Sequence, residues 1–395
     1  MGNCIRFDLG LPQVMVVAQR EGRGVIEVEV VQRRRFAICP RCNSITRRIH
    51  QRHWQKKGDI PLQGKTLILV LLKRRFRCGQ CEKVFTEPDE ICGWRRRTTE
   101  RLREELYVQT CHQTVKRIAE YYGVGQRLVR ESFAYYARRQ MAVAGQTEHT
   151  PTFLGMDDFS VRKGQRYQTI FCDLEQRRRL EVVDGRDGEG VRPYLESLSE
   201  PEKVRAVAMD MSEAYRGAVQ LCLPKAEIVA DKMHVIGLVN RALDRVRLRV
   251  QRAGGEEKRG PVYEGRHLLL RNREDLNEED RGKLRKLLRG HPQLKRPWLL
   301  KEDFRRWYRQ ADERGARLEL RAWEREVESA GPSEFRRLLV TFGRWREEML
   351  NYFRHRITNG YVEGSNNRSK AIQRQAYGYR NNGNLRLRIL LPKAA

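Results

Sequence analysis

Three carboxylates in this chain lie where one pocket could collect them. Asp157 follows the apolar run TFLGM, and Asp210 ends the apolar run VRAVAM. Glu363 is the one acid among the bases and amides of TNGYVEGSNNRSKAIQRQAYGYRNNG (358–383). Functional sites of α/β folds commonly lie at the ends of buried strands. Two aspartates at strand ends and a glutamate from a late helix can therefore converge on one pocket.

The chemistry of such a pocket depends on divalent cations. Carboxylates that share a site repel one another, which raises their pKa values. Mg²⁺ relieves this repulsion because a hard cation prefers oxygen ligands. Two such ions about 3.5–4 Å apart can activate a nucleophile and stabilise a leaving oxygen in phosphoryl transfer. The chain holds 51 acids, so the apolar context, rather than the spacing, singles out these three.

Two CxxC pairs predict a structural zinc site. Cys39 and Cys42 form CPRC, and Cys78 and Cys81 form CGQC. Zinc prefers four tetrahedral ligands, and a two-residue gap lets both sulfurs of a pair reach one ion. Each pair follows a basic, strand-like stretch, so we expect two hairpin ends that close on one Zn²⁺, with a strand pair inserted between them. A redox role is less favoured because no βαβ pattern surrounds either pair.

The order of predicted elements places a small β domain first, then helices, then an α/β domain with a long helical stretch. Alternating apolar residues predict strands, and 3.6-residue periodicity predicts helices. The predicted strands lie at 24–36, 65–76, 152–183, 204–211 and 226–231, and the helices at about 98–144 and 234–356. A linker is expected at 144–151, and a hairpin turn at Lys163-Gly164.

Residues 113–139 predict a helix-turn-helix. Gly123 would take the turn, since glycine adopts positive φ without strain. Arg127 and Arg130 would face outward from the second helix, toward the major groove of DNA. Any αα-hairpin gives similar spacing, but the charge of the chain favours DNA binding.

The charge of the chain points to a polyanionic partner. The formal net charge is +29, and Lys and Arg come in blocks such as Arg33-Arg34-Arg35. This excess repels itself in a compact state, so double-stranded DNA is the expected partner. No apolar run approaches the roughly 20 residues that span a bilayer. We therefore expect a cytoplasmic, nucleoid-associated protein with no membrane partner.

Four segments resemble blocks of the ISL3 family of DDE insertion-sequence transposases. They are GMDDFSVRKGQRYQTIFCDLE, AVAMDMSEAYRGAV, AEIVADKMHVIGLVNRALDRVR and TNGYVEGSNNRSKAIQRQAYGYRN. The resemblance covers nearly the whole chain. It implies a ribonuclease-H-like core in which Asp157, Asp210 and Glu363 are catalytic and bind two Mg²⁺ ions, or Mn²⁺. Its helical insertion would contact DNA and a second protomer, with its tryptophans inside and its bases outside.

Neighbouring residues leave two alternatives open. Asp158 could replace Asp157, but adjacent strand residues point to opposite faces, and the family's block places its acid at Asp157. The DKMH sequence, Asp231 and His234, resembles the D-x-x-H element of several DDE groups. This pair would brace the core or touch DNA, or else be a helix cap and a core histidine.

The segment around Glu363 gains a specific interpretation on a helix. Glu363, Asn367, Lys370 and Arg374 follow a 4-3-4 spacing and would share one face. The glutamate would meet the metals, and the amide and the two bases would meet phosphates. This holds only if Gly360 and Gly364 do not delay the start of the helix beyond Glu363, because glycine costs helix stability.

We thus predict a multidomain α/β transposase that binds terminal inverted repeats, hydrolyses phosphodiesters and transfers the 3′-hydroxyl ends to target DNA. A homodimer or larger assembly on DNA is expected. The alternatives are a non-catalytic DNA-binding regulator or a decayed transposase, and a nuclease without strand transfer. The predicted domains are a zinc ribbon, a helix-turn-helix, a core in two parts and an all-helical insertion, at 1–95, 96–147, 148–235 with 351–395, and 236–350.

Overall fold

The computed structural model describes residues 9–93, 96–143, 150–162, 164–253, 255–379 and 381–391. Its contacts divide the chain into two compact units, residues 1–144 with 373–395, and residues 145–372. The last 23 residues thus group with the first unit, whereas the predicted four-part division places them in the core. Most of the predicted linker, residues 144–149, and Lys163 of the predicted turn lie outside the described residues.

The first unit contains a five-stranded sheet and a small hairpin. The sheet order is β1-β2-β6-β5, with β7 paired to β6, and β3 pairs with β4. Apolar residues at every second position of β2 are buried, which fixes the inward face. The long β5–β6 hairpin is the strand pair expected between the two CxxC pairs. The strands are β1 Val14–Gly22, β2 Val25–Gln32, β3 Ala37–Ile38, β4 Ile45–Thr46, β5 Ile49–Leu62, β6 Lys65–Arg77 and β7 Val84–Thr86.

Four helices complete the first unit. Gly123 ends α2 with φ of 62°, so the predicted turn glycine is confirmed. Leu387 and Leu391 at the end of the chain pack in one apolar cluster with Phe133 and Tyr136 of α3. The helices are α1 Glu100–Thr110, α2 Val115–Tyr122, α3 Gln126–Val143 and α15 Asn382–Leu390.

The second unit is built on a mixed five-stranded sheet. Its order is β10-β9-β8-β11-β12, with β8, β9 and β10 antiparallel and β11 and β12 parallel to β8. The two parallel strands β11 and β12 are nearly continuous buried apolar runs, as is typical of parallel strands covered by helices. The strands are β8 Phe153–Arg162, β9 Arg166–Asp173, β10 Arg178–Asp184, β11 Ala206–Met209 and β12 Glu227–Ala230.

Helices α4 to α14 connect and cover this sheet. Trp298, Trp307, Trp323 and Trp345 are all buried, so the expectation of tryptophans inside the helical stretch is confirmed. Asn277 caps α9 by accepting a hydrogen bond from the Asp280 amide at 2.8 Å. The helices are α4 Gly188–Glu196, α5 Glu213–Cys222, α6 Lys232–Ala253, α7 Gly255–Glu264, α8 Arg266–Leu270, α9 Glu278–Gly290, α10 Lys295–Trp307, α11 Glu313–Ala330, α12 Ser333–Arg344, α13 Arg346–His355 and α14 Gly360–Gln375.

Within the described ranges, no helix is both long and apolar enough to cross a bilayer.

Candidate catalytic site and metal centre

Strand β8 carries Asp157, and helix α14 holds its side chain. Asp157 Oδ1 accepts a hydrogen bond from the Asp158 amide at 2.9 Å, and Oδ2 accepts one from Asn366 Nδ2 at 2.9 Å. Asn366 is 3% exposed, and its Oδ1 has no hydrogen-bond partner among the described residues. The carboxylate is thus oriented by two donors, one from its own strand and one from α14.

Asp158, the next residue of β8, has different neighbours. Its Oδ2 lies 3.9 Å from Nη1 of Arg186, whose guanidinium lies over the Tyr167 ring at 3.9 Å. Neighbouring strand residues point to opposite faces. The Asp157 side chain therefore contacts α14, whereas the Asp158 side chain is directed toward Arg186, two residues after the end of β10.

Asp210 follows β11 directly, and its Oδ1 is buried without a hydrogen-bond partner in the described part of the chain. Burial, together with the charges of Asp158 and Asp231, raises its pKa, although His234 works in the opposite direction. An unpaired buried carboxylate oxygen costs free energy unless a cation or donor satisfies it. This oxygen is therefore a candidate ligand for a cation.

The pKa of Asp157 is raised for the same reasons as that of Asp210. Burial raises it to about 6, and the nearby charges of Asp210 and Asp158 add to the rise. His234 partly opposes the rise, and its own pKa is raised to about 9, chiefly by its hydrogen bond to Asp231. In the protein without bound ions, one imidazolium thus offsets part of the negative charge of the aspartates.

Asp231 is a helix cap, one of the roles that the sequence left open, and it also accepts a hydrogen bond from the start of α14. Asp231 caps α6, because its Oδ2 accepts from the Met233 and His234 amides at 3.1 and 3.2 Å and from His234 Nδ1 at 3.0 Å. Its Oδ1 accepts from the Asn359 amide at 3.0 Å, and Asn359 Nδ2 donates to the Met156 carbonyl at 2.9 Å. Asp231 is thus a helix cap that also holds Asn359, and Asn359 in turn ties the start of α14 to β8.

Glu363 lies in the first turn of α14, which begins at Gly360. The two glycines therefore do not delay the helix beyond Glu363, and the condition for the shared face is met. Glu363, Asn367, Lys370 and Arg374 are all exposed, in accord with one outward face. The Glu363 carboxylate has no hydrogen-bond or ion-pair partner within the described part of the chain.

A glycine lets α14 approach β8 closely. A Cβ added to Gly155 would lie 2.6 Å from Val362 Cγ2 and 2.6 Å from Leu174 Cδ2. Gly155 precedes Asp157 by two residues on the same face of β8, and Val362 precedes Glu363 on α14. The missing side chain at Gly155 therefore sets the distance between the elements that carry two of the three predicted acids.

Sequence reasoning missed Asn359 and Asn366. It selected Asn367 because that residue falls on the Glu363 face, and Asn367 is indeed exposed. The buried face of α14 consists of Val362, Ser365, Asn366, Ser369 and Ile372. An amide within a line of small and apolar residues at helical spacing is the signal that could have identified Asn366 as a buried donor.

The four cysteines of the first unit form a compact cluster. Among the described residues, they are the one group of three or more His, Cys, Asp or Glu side chains whose ligand atoms all lie within 4.8 Å of one another. Cys39 Sγ lies 3.6 Å from Cys81 Sγ, and Cys42 Sγ lies 3.5 Å from Cys78 Sγ. A hydrogen bond with Ser44 lowers the pKa of Cys78 to about 6, whereas the pKa of Cys81, which a backbone hydrogen bond of Lys83 lowers, is raised on balance to about 11 by burial and the neighbouring cysteines.

These separations fit a zinc ion. Zn–S bonds of about 2.3 Å in a tetrahedron place the sulfurs about 3.8 Å apart. One pair lies between β3 and β4 and the other between β6 and β7. The prediction that two hairpin ends close on one structural Zn²⁺ is confirmed in its ligands and geometry. The three acids of the other unit do not form so tight a group.

The second helix of the helix-turn-helix presents its bases to solvent. Arg127 and Arg130 of α3 are exposed, whereas Val129 is fully buried against α1 and α2. Arg127 pairs with Glu131 at 2.7 Å, and Arg130 donates to Gln126 at 3.0 Å. The exposed face of α3 is therefore available to a partner, as the sequence predicted.

Two models of known protein families match this chain, and together they cover most of it. A family model described as a transposase, the ISL3 DDE type, matches residues 154–389. A model described as the zinc-finger of transposase IS204/IS1001/IS1096/IS1165 matches residues 35–81, which include all four cysteines.

Two named relatives are similar to this chain. The transposase for insertion sequence element IS1001 of Bordetella parapertussis is 29% identical over 349 residues, which cover 87% of this chain and 85% of the relative. The transposase for insertion sequence element IS1557 of Mycobacterium tuberculosis is 25% identical over 252 residues, which cover 58% of this chain and 56% of the relative.

Proposed function

Because the chain belongs to the ISL3 family of insertion-sequence transposases, we propose that it cuts the DNA at the ends of its own element and joins those ends to target DNA. The zinc ribbon and the helix-turn-helix would bind the terminal inverted repeats. The second unit would carry the chemistry. The single observation that carries this proposal is the pair of partly buried aspartates from neighbouring strands, Asp157 and Asp210, with Oδ1 of Asp210 lacking a hydrogen-bond partner among the described residues.

We infer that the second unit holds a ribonuclease-H-like core. The support is its strand order β10-β9-β8-β11-β12, in which three antiparallel strands are followed by two parallel ones. Strands β8 and β11 are adjacent, so the acid on β8 and the acid after β11 come from neighbouring strands. Helices α6 to α13, between β12 and α14, would form the insertion that the family resemblance implies.

Asp157, Asp210 and Glu363 would be the catalytic residues and the ligands of two Mg²⁺ ions, with Mn²⁺ as a substitute. The donor set fits, because Mg²⁺ takes carboxylate oxygens and retains waters. The raised pKa of Asp157 and the unpaired Oδ1 of Asp210 are what a site shaped for cations shows without them. When bound, the ions would supply a polarised water and neutralise charge that develops at phosphorus.

The remaining residues would position these ligands. Asn366 fixes Asp157 through Oδ2, and Asp231 fixes the start of α14 through Asn359. We therefore place Asp231 and His234 as bracing residues of the core rather than as ligands. When a residue that orients a metal ligand through a hydrogen bond is removed, metal affinity or activity typically falls about 10–100-fold.

The exposed bases would hold the substrate. Asn367, Lys370 and Arg374 continue the outward face of α14 that begins with Glu363. Arg127 and Arg130 lie on the outward face of α3, which would read the major groove. A carboxylate among cations is thus explained if the cations hold the phosphates whose bonds are broken beside Glu363.

The reaction would consist of two in-line displacements at phosphorus. In the first, water attacks and the bond to the 3′ oxygen breaks, which leaves a free 3′-hydroxyl at the end of the element. In the second, that hydroxyl attacks a target phosphodiester and one target oxygen leaves. No covalent protein–DNA intermediate is required. Two DNA ends must be handled together, so we expect a homodimer or a larger assembly on DNA.

Charge-removing variants test the assignment. Asp157→Asn, Asp210→Asn and Glu363→Gln should bind terminal DNA like the wild type and lose Mg²⁺-dependent cleavage by about 10³-fold or more, since each removes a charged ligand of a metal that stabilises the transition state. The matched controls are Asp158→Asn, one residue along β8, and Glu213→Gln, in the first turn of α5. Both should retain cleavage.

The outcomes separate the alternatives. Full cleavage by all three ligand variants would refute the site. A wild-type protein that binds the inverted repeats and never cuts them would be a regulator or a decayed transposase. Hydrolysis without joining, measured with pre-cut ends and a plasmid target, would indicate a nuclease.

A further inference from the structure

A cleft of about 910 Å³ lies within the first unit, beside the helix-turn-helix. One wall comes from α2 and α3 and includes Lys116 and Arg130. The other wall comes from residues 376–379, which follow α14, and from residues 381, 384 and 388 at and within α15. Both walls belong to the unit formed by residues 1–144 and 373–395. The cleft therefore uses residues that the proposed catalytic site does not.

The charge of the lining suits an anion. Three cations, Lys116, Arg130 and Arg388, line the cleft, and none of its described lining residues is an acid. Four amide side chains lie among them and can donate hydrogen bonds to phosphate oxygens: Gln113, Gln126, Asn381 and Asn384.

The helices add to this positive potential. The starts of α2, α3 and α15 all contribute lining residues, and the first amides of a helix carry a partial positive charge. The C-terminus of α1, which would carry the opposite charge, is covered, because Arg388 donates to the carbonyls of Thr110 and Cys111. The cations and the helix starts therefore act in the same direction.

Tyr377 adds an aromatic ring beside the charges. Its side chain is 92% exposed, and its φ of 54° belongs to the turn that ends α14, in which the Gly378 amide donates to the Gln373 carbonyl at 3.0 Å. The exposed ring gains little stability from packing, so it is accessible to a ligand at the cleft.

We propose that this cleft binds the sugar–phosphate backbone of the terminal DNA duplex, next to the groove that receives α3. The inference rests on the proposed function. Gln126 and Arg130 line the cleft and also belong to the first turns of α3, so DNA that meets the exposed face of α3 reaches the cleft as well. Tyr377 lies against a deoxyribose and donates its hydroxyl to a phosphate. The C-terminal segment is thus part of the end-binding site.

Salt dependence tests the phosphate contact. Lys116→Gln should bind a fluorescent terminal-repeat duplex more weakly, and its plot of log affinity against log salt should be less steep by about one. Lys203→Gln is the matched control, because both lysines are exposed and each pairs with a glutamate within four residues of it. An unchanged slope for Lys116→Gln, with the protein folded, would overturn the inference.

A crosslink identifies the occupant. A p-benzoylphenylalanine in place of Tyr377 should photocrosslink to the terminal duplex, and Tyr377→Ala should weaken binding about 10–100-fold, as a lost hydrogen bond to a charged group does. Crosslinking to a second protein chain instead of DNA would refute the proposal. If the wild type binds and cuts the ends while these variants behave normally, the cleft inference fails and the transposase function stands. If the wild type does neither, the proposed function itself fails.

Discussion

The substitution Gly155→Ala tests how closely α14 must approach β8. The new Cβ would lie 2.6 Å from carbons of Val362 and Leu174, whereas ordinary contacts begin at 3.4 Å. A gap of about 0.8 Å must therefore open. Val362 is β-branched and its χ1 is restricted in a helix, so much of this gap must come from movement of α14 itself.

Two magnitudes follow from this movement. Overpacking of a core costs about 1–3 kcal/mol, and the lower entropy of the unfolded alanine chain recovers about 0.5 kcal/mol. For a unit of this size, each kcal/mol lowers the melting temperature by about 2–4 °C. Displacement of a catalytic group by about 1 Å can cost about 100-fold in rate. Glu363 and Asn366 both lie on α14 and would move with it. The cleavage rate should therefore fall strongly, while the free energy of unfolding changes only modestly.

The assay compares Mg²⁺-dependent cleavage of a terminal-repeat duplex and the melting temperature of each variant. Gly217→Ala is the control, because Gly217 is exposed within α5 and nothing lies within 4 Å of its added Cβ. That variant should be stabilised by about 1 kcal/mol and should cleave normally. Wild-type cleavage and wild-type melting in Gly155→Ala would refute the close-approach argument.

Three further results are expected. Cys78→Ser should lose bound zinc, measured by metal analysis, and should unfold the β domain and abolish end-specific binding, since structural zinc supplies folding free energy; equal zinc in variant and wild type would contradict this. Asn366→Ala should reduce cleavage about 10–100-fold with little effect on DNA binding; unchanged cleavage would show that Asn366 does not position Asp157. Without added Mg²⁺, stability should fall as pH rises from about 4 to 6, because the folded-state pKa of Asp157 is raised; Asp157→Asn should lose this fall and be more stable at pH 7, and an identical melting profile would oppose it.

The elements with strong local signals were predictable from the sequence. The alternation of buried residues along β2 and the left-handed glycine at Gly123 are local properties. Each correctly predicted its element, a strand and the end of a helix. The cysteine pairs were predictable because zinc chemistry imposes the spacing of its ligands. The position of Asp210 directly after β11 followed from the apolar run before it, whereas Asp157 lies within β8 rather than at its end.

Contacts between distant segments were not predictable in the same way. The choice between Asn366 and Asn367 depends on about 100° of rotation around α14, and only the packing of that helix on β8 decides it. The role of Gly155 depends on Val362, about two hundred residues later. The grouping of the last residues with the first unit depends on apolar contacts between α15 and α3, which no local pattern reveals.

The packing of α15 against α3 has a consequence for the order in which the protein is made. Leu387 and Leu391 complete the apolar cluster around Phe133 and Tyr136, yet the whole second unit, residues 145–372, separates them in the chain. The first unit therefore lacks part of its core until the second unit has been synthesised. A product truncated within the second unit would carry the zinc ribbon and the helix-turn-helix without this closing helix. Such fragments should compete poorly for DNA with a chain that includes α15, so synthesis of the second unit precedes the first stable DNA contact.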